Sequence, residues 1–165
     1  MATTYTLISS VTVGSGGAAN IEFTSIPQTY TDLVVKISQR ADSSNAFFYL
    51  EFNSSTSNLS NKRLYTNGST VSSFDSSFIG FYGNRSTFTA STFCNVEIYV
   101  PNYTSANYKS VSGDGVSENN ATLVEMSLTA GLWSNTAAIT SLKLKADSGN
   151  FVQYSTAYLY GISNA

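Results

Sequence analysis

Apolar residues in this chain recur at every second position rather than every third or fourth. Asp32 to Arg40 (DLVVKISQR) sets Leu33, Val35 and Ile37 on one parity and Lys36, Ser38 and Arg40 on the other. Thr92 to Val100 (TFCNVEIYV) does the same, with Cys94, Val96, Ile98 and Val100 opposed to Asn95, Glu97 and Tyr99. Residues i and i+2 share one face of a strand, so each run reads as a strand with one dry and one wet side. No stretch sustains the 3.6-residue apolar period of a helix over three turns, and β-branched and aromatic residues are favoured throughout. The expectation is an all-β, single-domain antiparallel β-sandwich over residues 1–165, jelly-roll-like, with about nine to eleven short strands and very little helix. The absence of an internal repeat counts against a propeller or solenoid.

Punctuation divides the rest of the chain. Thr4 to Val13 ends at Gly14-Ser15-Gly16-Gly17, and Asn20 to Ile26 is stopped by Pro27, which together suggest an opening hairpin. Ala46 to Asn53 (AFFYLEFN) follows the turn-forming ADSSN as the expected neighbour of the Asp32–Arg40 strand, with Phe48, Leu50 and Phe52 on one face. Ser54 to Ala90 is dominated by Ser, Asn, Thr and Gly and reads as ordered loops holding one or two short strands, with a disordered linker as the alternative that its many aromatics disfavour. Asn107 to Val116 is a weaker strand interrupted at Gly113-Asp114-Gly115. From Ala121 to Ile162 three apolar runs separated by turn signals read as an antiparallel meander that anchors the fold. In the last run Val152, Tyr154, Thr156, Tyr158, Tyr160 and Ile162 share a parity, which predicts an aromatic core face with Gln153 and Ser155 on the wetter side.

Composition narrows the function. Only 11% of the residues are charged, against about 25% in ordinary soluble proteins, and the formal charge is −2. That gives no basic field for nucleic acid or an anionic membrane surface, and no apolar run is long enough for a membrane-spanning helix. The N-terminus lacks a basic region and a continuous apolar segment, so no signal peptide is predicted and synthesis in a cytoplasm is expected. Cys94 is the one cysteine and reads as a buried filler. The chain has no His, which excludes Ser-His-Asp and Cys-His nucleophiles and His-bearing zinc sites; no cofactor, metal or catalytic residue is predicted.

The remaining chemical candidates are weak beside their plain structural readings. Glu97 or Glu125 could serve a glycosidase carboxylate pair, but a Glu on the outward face of a strand is ordinarily solvated. Gly14-Ser15-Gly16-Gly17 is followed by neither a helix pattern nor Lys, so it is a turn rather than a phosphate loop. Asp114, Glu118, Asn119 and Asn120 are oxygen ligands without calcium-loop spacing. Asn-x-Ser/Thr triplets at Asn53, Asn58, Asn67, Asn84, Asn102 and Asn120 follow from a composition rich in those residues. Trp133 with Tyr99, Tyr103 and Tyr108 forms a candidate stacking platform for sugar or an interface, set against core burial for a Trp beside Leu132. Ten Phe, eleven Tyr and one Trp exceed what one small core easily encloses, which suggests a homo-oligomer.

Three stretches carry a resemblance: IEFTSIPQTYTDLVVKIS (Ile21 to Ser38), NVEIYVPNYTSANYKS (Asn95 to Ser110) and LTAGLWSNTAAITSLKLKADSGNFVQYSTAYLYGIS (Leu128 to Ser163). Each resembles segments of small β-rich structural proteins of tailed bacteriophages, especially those of marine and cyanobacterial hosts. The likeness marks no catalytic or ligand-binding residue. It implies a non-enzymatic virion component, foremost a capsid decoration or accessory (cement or knob) protein whose partner is the major capsid protein or another virion protein. The alternative it leaves open is a receptor- or carbohydrate-binding module of a tail or head fibre, with a host-surface glycan as partner.

Overall fold

The expected alternation is realised as twelve strands and no helix among the residues that the computed structural model describes, which are 4–45, 47–118, 120 and 124–163. They are β1 (Tyr5–Thr12), β2 (Asn20–Phe23), β3 (Asp32–Gln39), β4 (Phe47–Phe52), β5 (Leu59–Thr66), β6 (Val71–Ser76), β7 (Ile79–Tyr82), β8 (Cys94–Val100), β9 (Lys109–Ser117), β10 (Glu125–Trp133), β11 (Leu142–Ala146) and β12 (Thr156–Ile162). One sheet has eight strands in the order β1-β12-β3-β8-β9-β10-β5-β6, the other has four in the order β2-β11-β4-β7, and neighbouring strands pair antiparallel. The chain is all-β with two antiparallel sheets. Their apolar faces meet in one core cluster that draws Leu33, Val35 and Ile37 from β3 and Cys94, Val96, Ile98 and Val100 from β8. From the smaller sheet come Phe48, Leu50 and Phe52 of β4 and Leu142 and Leu144 of β11. Strand count is one above the expected range because Ser54 to Ala90 holds three strands, β5, β6 and β7.

Local pairing, which the turn signals suggested, is largely replaced by crossing between sheets. β1 and β2 do not form a hairpin: β1 pairs with β12 and β2 with β11. Likewise β4 is not the neighbour of β3 but lies in the opposite sheet. The meander expected over Ala121 to Ile162 is absent: β10 pairs with β5 and β9, β11 with β2 and β4, and β12 with β1 and β3. Residues 121–123 of that stretch, and Ala46 ahead of β4, lie outside the described residues. A sandwich brings its two layers together by sending successive strands to opposite sheets, so a short link need not be a hairpin. Only the β5–β6, β8–β9 and β9–β10 connections stay in one sheet, and together they extend the large sheet from β8 to its β6 edge.

The expected core parity of β12 is reversed. Ala157 and Leu159 are fully buried and Gly161 is buried between them and the chain end, whereas Tyr158 is 38% exposed and Tyr154 stands in solvent. The strand begins only at Thr156, and Tyr154 adopts a left-handed backbone (φ 72°), so the parity of residues 151–154 does not carry into it. Gly161 is required inside: a Cβ there would lie 2.3 Å from the ring of Tyr30. Ser155, expected to be wet, is buried and its hydroxyl receives the Arg40 N–H at 3.2 Å.

Gly113-Asp114-Gly115 does not break β9, because both glycines face inward where space is short. A Cβ on Gly113 would meet the Phe81 ring at 2.4 Å and the Glu97 carbonyl at 2.9 Å. The abundant asparagines build turns: Asn53, Asn58, Asn102 and Asn120 all have left-handed φ between 49° and 60°, which Asn tolerates well. Asn53 Oδ1 also accepts from the N–H groups of Thr140 and Ser141, tying two loops together.

Candidate interaction surface

The widened half of the large sheet turns one face to solvent, and its register can be read across five strands. Val116 of β9 faces Met126 of β10, which faces Thr66 of β5 and then Val71 of β6. The next row runs from Glu97 of β8 through Asp114, Leu128 and Leu64 to Ser73, and the next from Tyr99 through Ser112, Ala130 and Lys62 to Asp75. In an antiparallel sheet with one wet face this parity should be polar. Here Val71 is 75% exposed, Leu128 60%, Leu64 53%, Met126 46% and Val116 44%. These five adjoin one another, so they form a continuous apolar stripe rather than scattered residues. Two adjoining grooves of about 590 Å³ and about 470 Å³ follow it, sharing Leu64, Asp114 and Leu128.

Charges rim the larger groove. Lys36 pairs with Glu97 at 2.8 Å and Lys62 with Asp75 at 3.3 Å, both exposed. Asp114 stands directly across from Glu97, a like-charge pair that a sheet does not favour unless something else neutralises it.

The opposite face of the same strands is buried yet partly polar, with β7 of the four-stranded sheet packed against β9, β10 and β5. Glu125 of β10 is 1% exposed and binds Arg85 at 2.7 Å, and Tyr65 donates its hydroxyl to the same carboxylate oxygen at 3.4 Å. The Arg63 guanidinium of β5 lies over the rings of Phe47 (4.5 Å), Tyr82 (4.8 Å) and Phe74 (5.6 Å), so aromatic faces take the place of a counter-ion. Burial raises the Glu125 pKa, while the Arg85 charge and the Tyr65 hydrogen bond pull it back. Burial, with the nearby Glu125 charge, also pushes Tyr65 up to about 12.

A carboxyl whose folded pKa is raised keeps its proton to higher pH than in the unfolded chain. The stability it contributes is therefore fully present below the ordinary value of 4.5 and lost as pH rises through the folded value. Glu125→Gln should flatten that part of the stability profile. Urea melts from about pH 4 to about pH 8 check it, and a variant with the parent's full slope would place the titration elsewhere.

The structure scatters the four predicted aromatic residues. Trp133 is 1% exposed and packs, tilted, 5.6 Å from the Phe52 ring, and Tyr103 is fully buried with its hydroxyl donating to the Pro27 carbonyl. Neither offers a face to a sugar. Tyr99 is half-buried at the groove, donating to Asp32 at 2.8 Å, while Tyr108 is exposed just before β9 and is not among the groove's lining residues. Glu97 and Glu125 point to opposite faces of the sheet with β9 between their strands, so they cannot flank one glycosidic bond. Asp114 lies mid-strand, apart from Glu118 and Asn120 in the loop, and Asn119 lies outside the described residues. Gly14 to Gly17 forms the expected turn, closed by Gly17 N–H to Gly14 O at 3.1 Å. Cys94 is buried and burial pushes its thiol up to about 11, which leaves it protonated and inert.

Sequence reasoning missed the stripe, although one signal was present. EMSLTAGLW carries apolar residues on both parities, with Met126, Leu128 and Leu132 opposite Trp133, and an antiparallel strand apolar on both sides has two faces to cover. The fold and surface together define a two-sheet antiparallel β protein with a solvent-facing apolar groove. Compared with family models, curated proteins and solved structures, the chain matches none.

Proposed function

We propose that the chain is a non-enzymatic structural protein of a bacteriophage particle, an accessory (cement, knob or decoration) subunit on the outer surface of the capsid shell. The supporting observation is the stripe of Val71, Leu64, Leu128, Met126 and Val116, a rigid sheet face that leaves large apolar side chains in water until a partner covers it. The major capsid protein is the partner in this reading. We read β1-β12-β3-β8 facing β2-β11-β4-β7 as a jelly roll, with the β5–β6 and β9–β10 hairpins added to one sheet to carry the stripe.

Mass spectrometry and cryo-EM of purified particles test this, with density expected on the shell. Leu64→Gln combined with Leu128→Lys should abolish occupancy while changing the stability of the free protein by little more than about 0.5 kcal/mol, since both side chains already face water and the lysine would stand opposite Asp114. Absence from particles, or a position only at the tail tip, would overturn the shell reading.

A second reading, a receptor- or carbohydrate-binding module of a fibre, has one observation in its favour. The larger groove sets Glu97, Asp114, Asp75, Ser73 and Ser112 beside Tyr99 and Leu128, a mixture of hydroxyl-accepting and apolar groups that suits a saccharide. Glycan-array binding that is lost with Asp114→Ala would favour it over the shell.

A further inference from the structure

Of the four outer edges of the two sheets, three carry a device that discourages a further strand. β2 and β7 have only four residues each, and β1 breaks register between Leu7 and Ser9. β6 has none of these. It runs six residues, VSSFDS, in unbroken register with β5, without Pro, Lys or Arg, and no other strand among the described residues pairs with it. Its free side therefore presents a row of unpaired N–H and C=O groups, beside Val71 and a Phe74 that is 45% exposed.

We propose that β6 pairs antiparallel with β6 of a second copy of this chain about a two-fold axis, joining two eight-stranded sheets into one. A two-fold pairing demands a self-complementary strand, because each residue meets its counterpart in the other copy. Residues directly opposite share a face, so the axis must pass through a residue position. Centred on Phe74, the pairing sets Phe74 against Phe74 of the second copy, Ser73 against its Asp75 and Ser72 against its Ser76. The exposed rings meet, and the single carboxylate of each strand, already held by Lys62, meets a hydroxyl rather than its own copy. A centre on Ser73 would instead oppose Val71 to Asp75. The Val71–Leu64–Leu128 stripes of both copies then lie on the same face of the joined sheet, which doubles the surface available to any partner. The association does not depend on what that surface binds.

Sedimentation velocity over a concentration series should show a species of twice the 17.7 kDa chain mass, and Phe74→Lys should weaken its formation at least tenfold by setting like charges across the axis. Because Phe74 also touches the Tyr65 ring, a second variant keeps the test independent of folding. Phe74→Cys should form a disulfide between copies on mild oxidation, since directly opposed Cα atoms lie within disulfide reach, whereas Ser72→Cys and the β1-edge control Leu7→Cys should not. Cys94 is buried and does not compete. A protein that stays monomeric at every concentration, or a dimer indifferent to Phe74→Lys, would overturn the proposal. Cross-linking through Ser72→Cys or Leu7→Cys as fast as through Phe74→Cys would overturn the pairing and its register.

Discussion

Leu159→Asp should unfold the protein under conditions in which Tyr158→Asp leaves it folded. Leu159 is fully buried in the middle of β12, opposite Val35 on β3, and packs into the cluster that joins the two sheets. A carboxylate there has no partner, and stranding it costs several kcal/mol, a large share of the roughly 5 to 15 kcal/mol that holds a domain of this size. Tyr158 is one residue away on the other face, more than a third exposed and opposite Lys36. An Asp at 158 would sit in water beside that cation, so a change within about 1 kcal/mol is expected. Urea melts of the two variants decide it. A collapsed Tyr158→Asp beside a folded Leu159→Asp would show that the two faces of β12 are exchanged.

Trp133→Ala should cost about 3 to 5 kcal/mol, the range for deleting a large buried aromatic. The indole closes the end of β10 against Phe52 of the opposite sheet, so its loss opens a cavity between layers rather than at the surface. Its Nε1 makes no hydrogen bond among the described residues, so Trp133→Phe forfeits volume and no polar contact. That variant should lose less than half as much stability. It should also leave any binding at the Leu64–Leu128 stripe unchanged, since Trp133 faces the other side of the sheet. A large loss of binding with intact stability would mark Trp133 as a contact residue and not a core one.

The two variants also show where reading the chain stops being enough. Where one parity was plainly the more apolar, as in β8 and, apart from the buried Val34, in β3, the sequence alone identified both the strand and its main core face, because alternation is a property of the local backbone and needs no partner. Exclusion of His-dependent chemistry and the burial of Cys94 were legible for the same local reasons. In β12 both parities were plausible: one carried the larger rings, the other Ala157, Leu159 and Gly161. Size favoured the wrong one, since the smaller set was demanded by Tyr30, a residue more than a hundred positions earlier that fills the space over Gly161.

The same holds for the candidate site. That Met126 and Leu128 have apolar side chains is written in the sequence; that they are left in water follows from β7 of the four-stranded sheet packing on the other face of β10 and β5, which leaves this face without a covering layer. Strand pairing depends on backbone groups common to every residue, so the sequence marked most of the strand segments and excluded His-dependent chemistry, but it left β5, β6 and β7 unseparated. Only the tertiary structure decided which strands meet, which of two apolar faces is core, and which edge and face remain open, because those are set by long-range packing and not by the pleat.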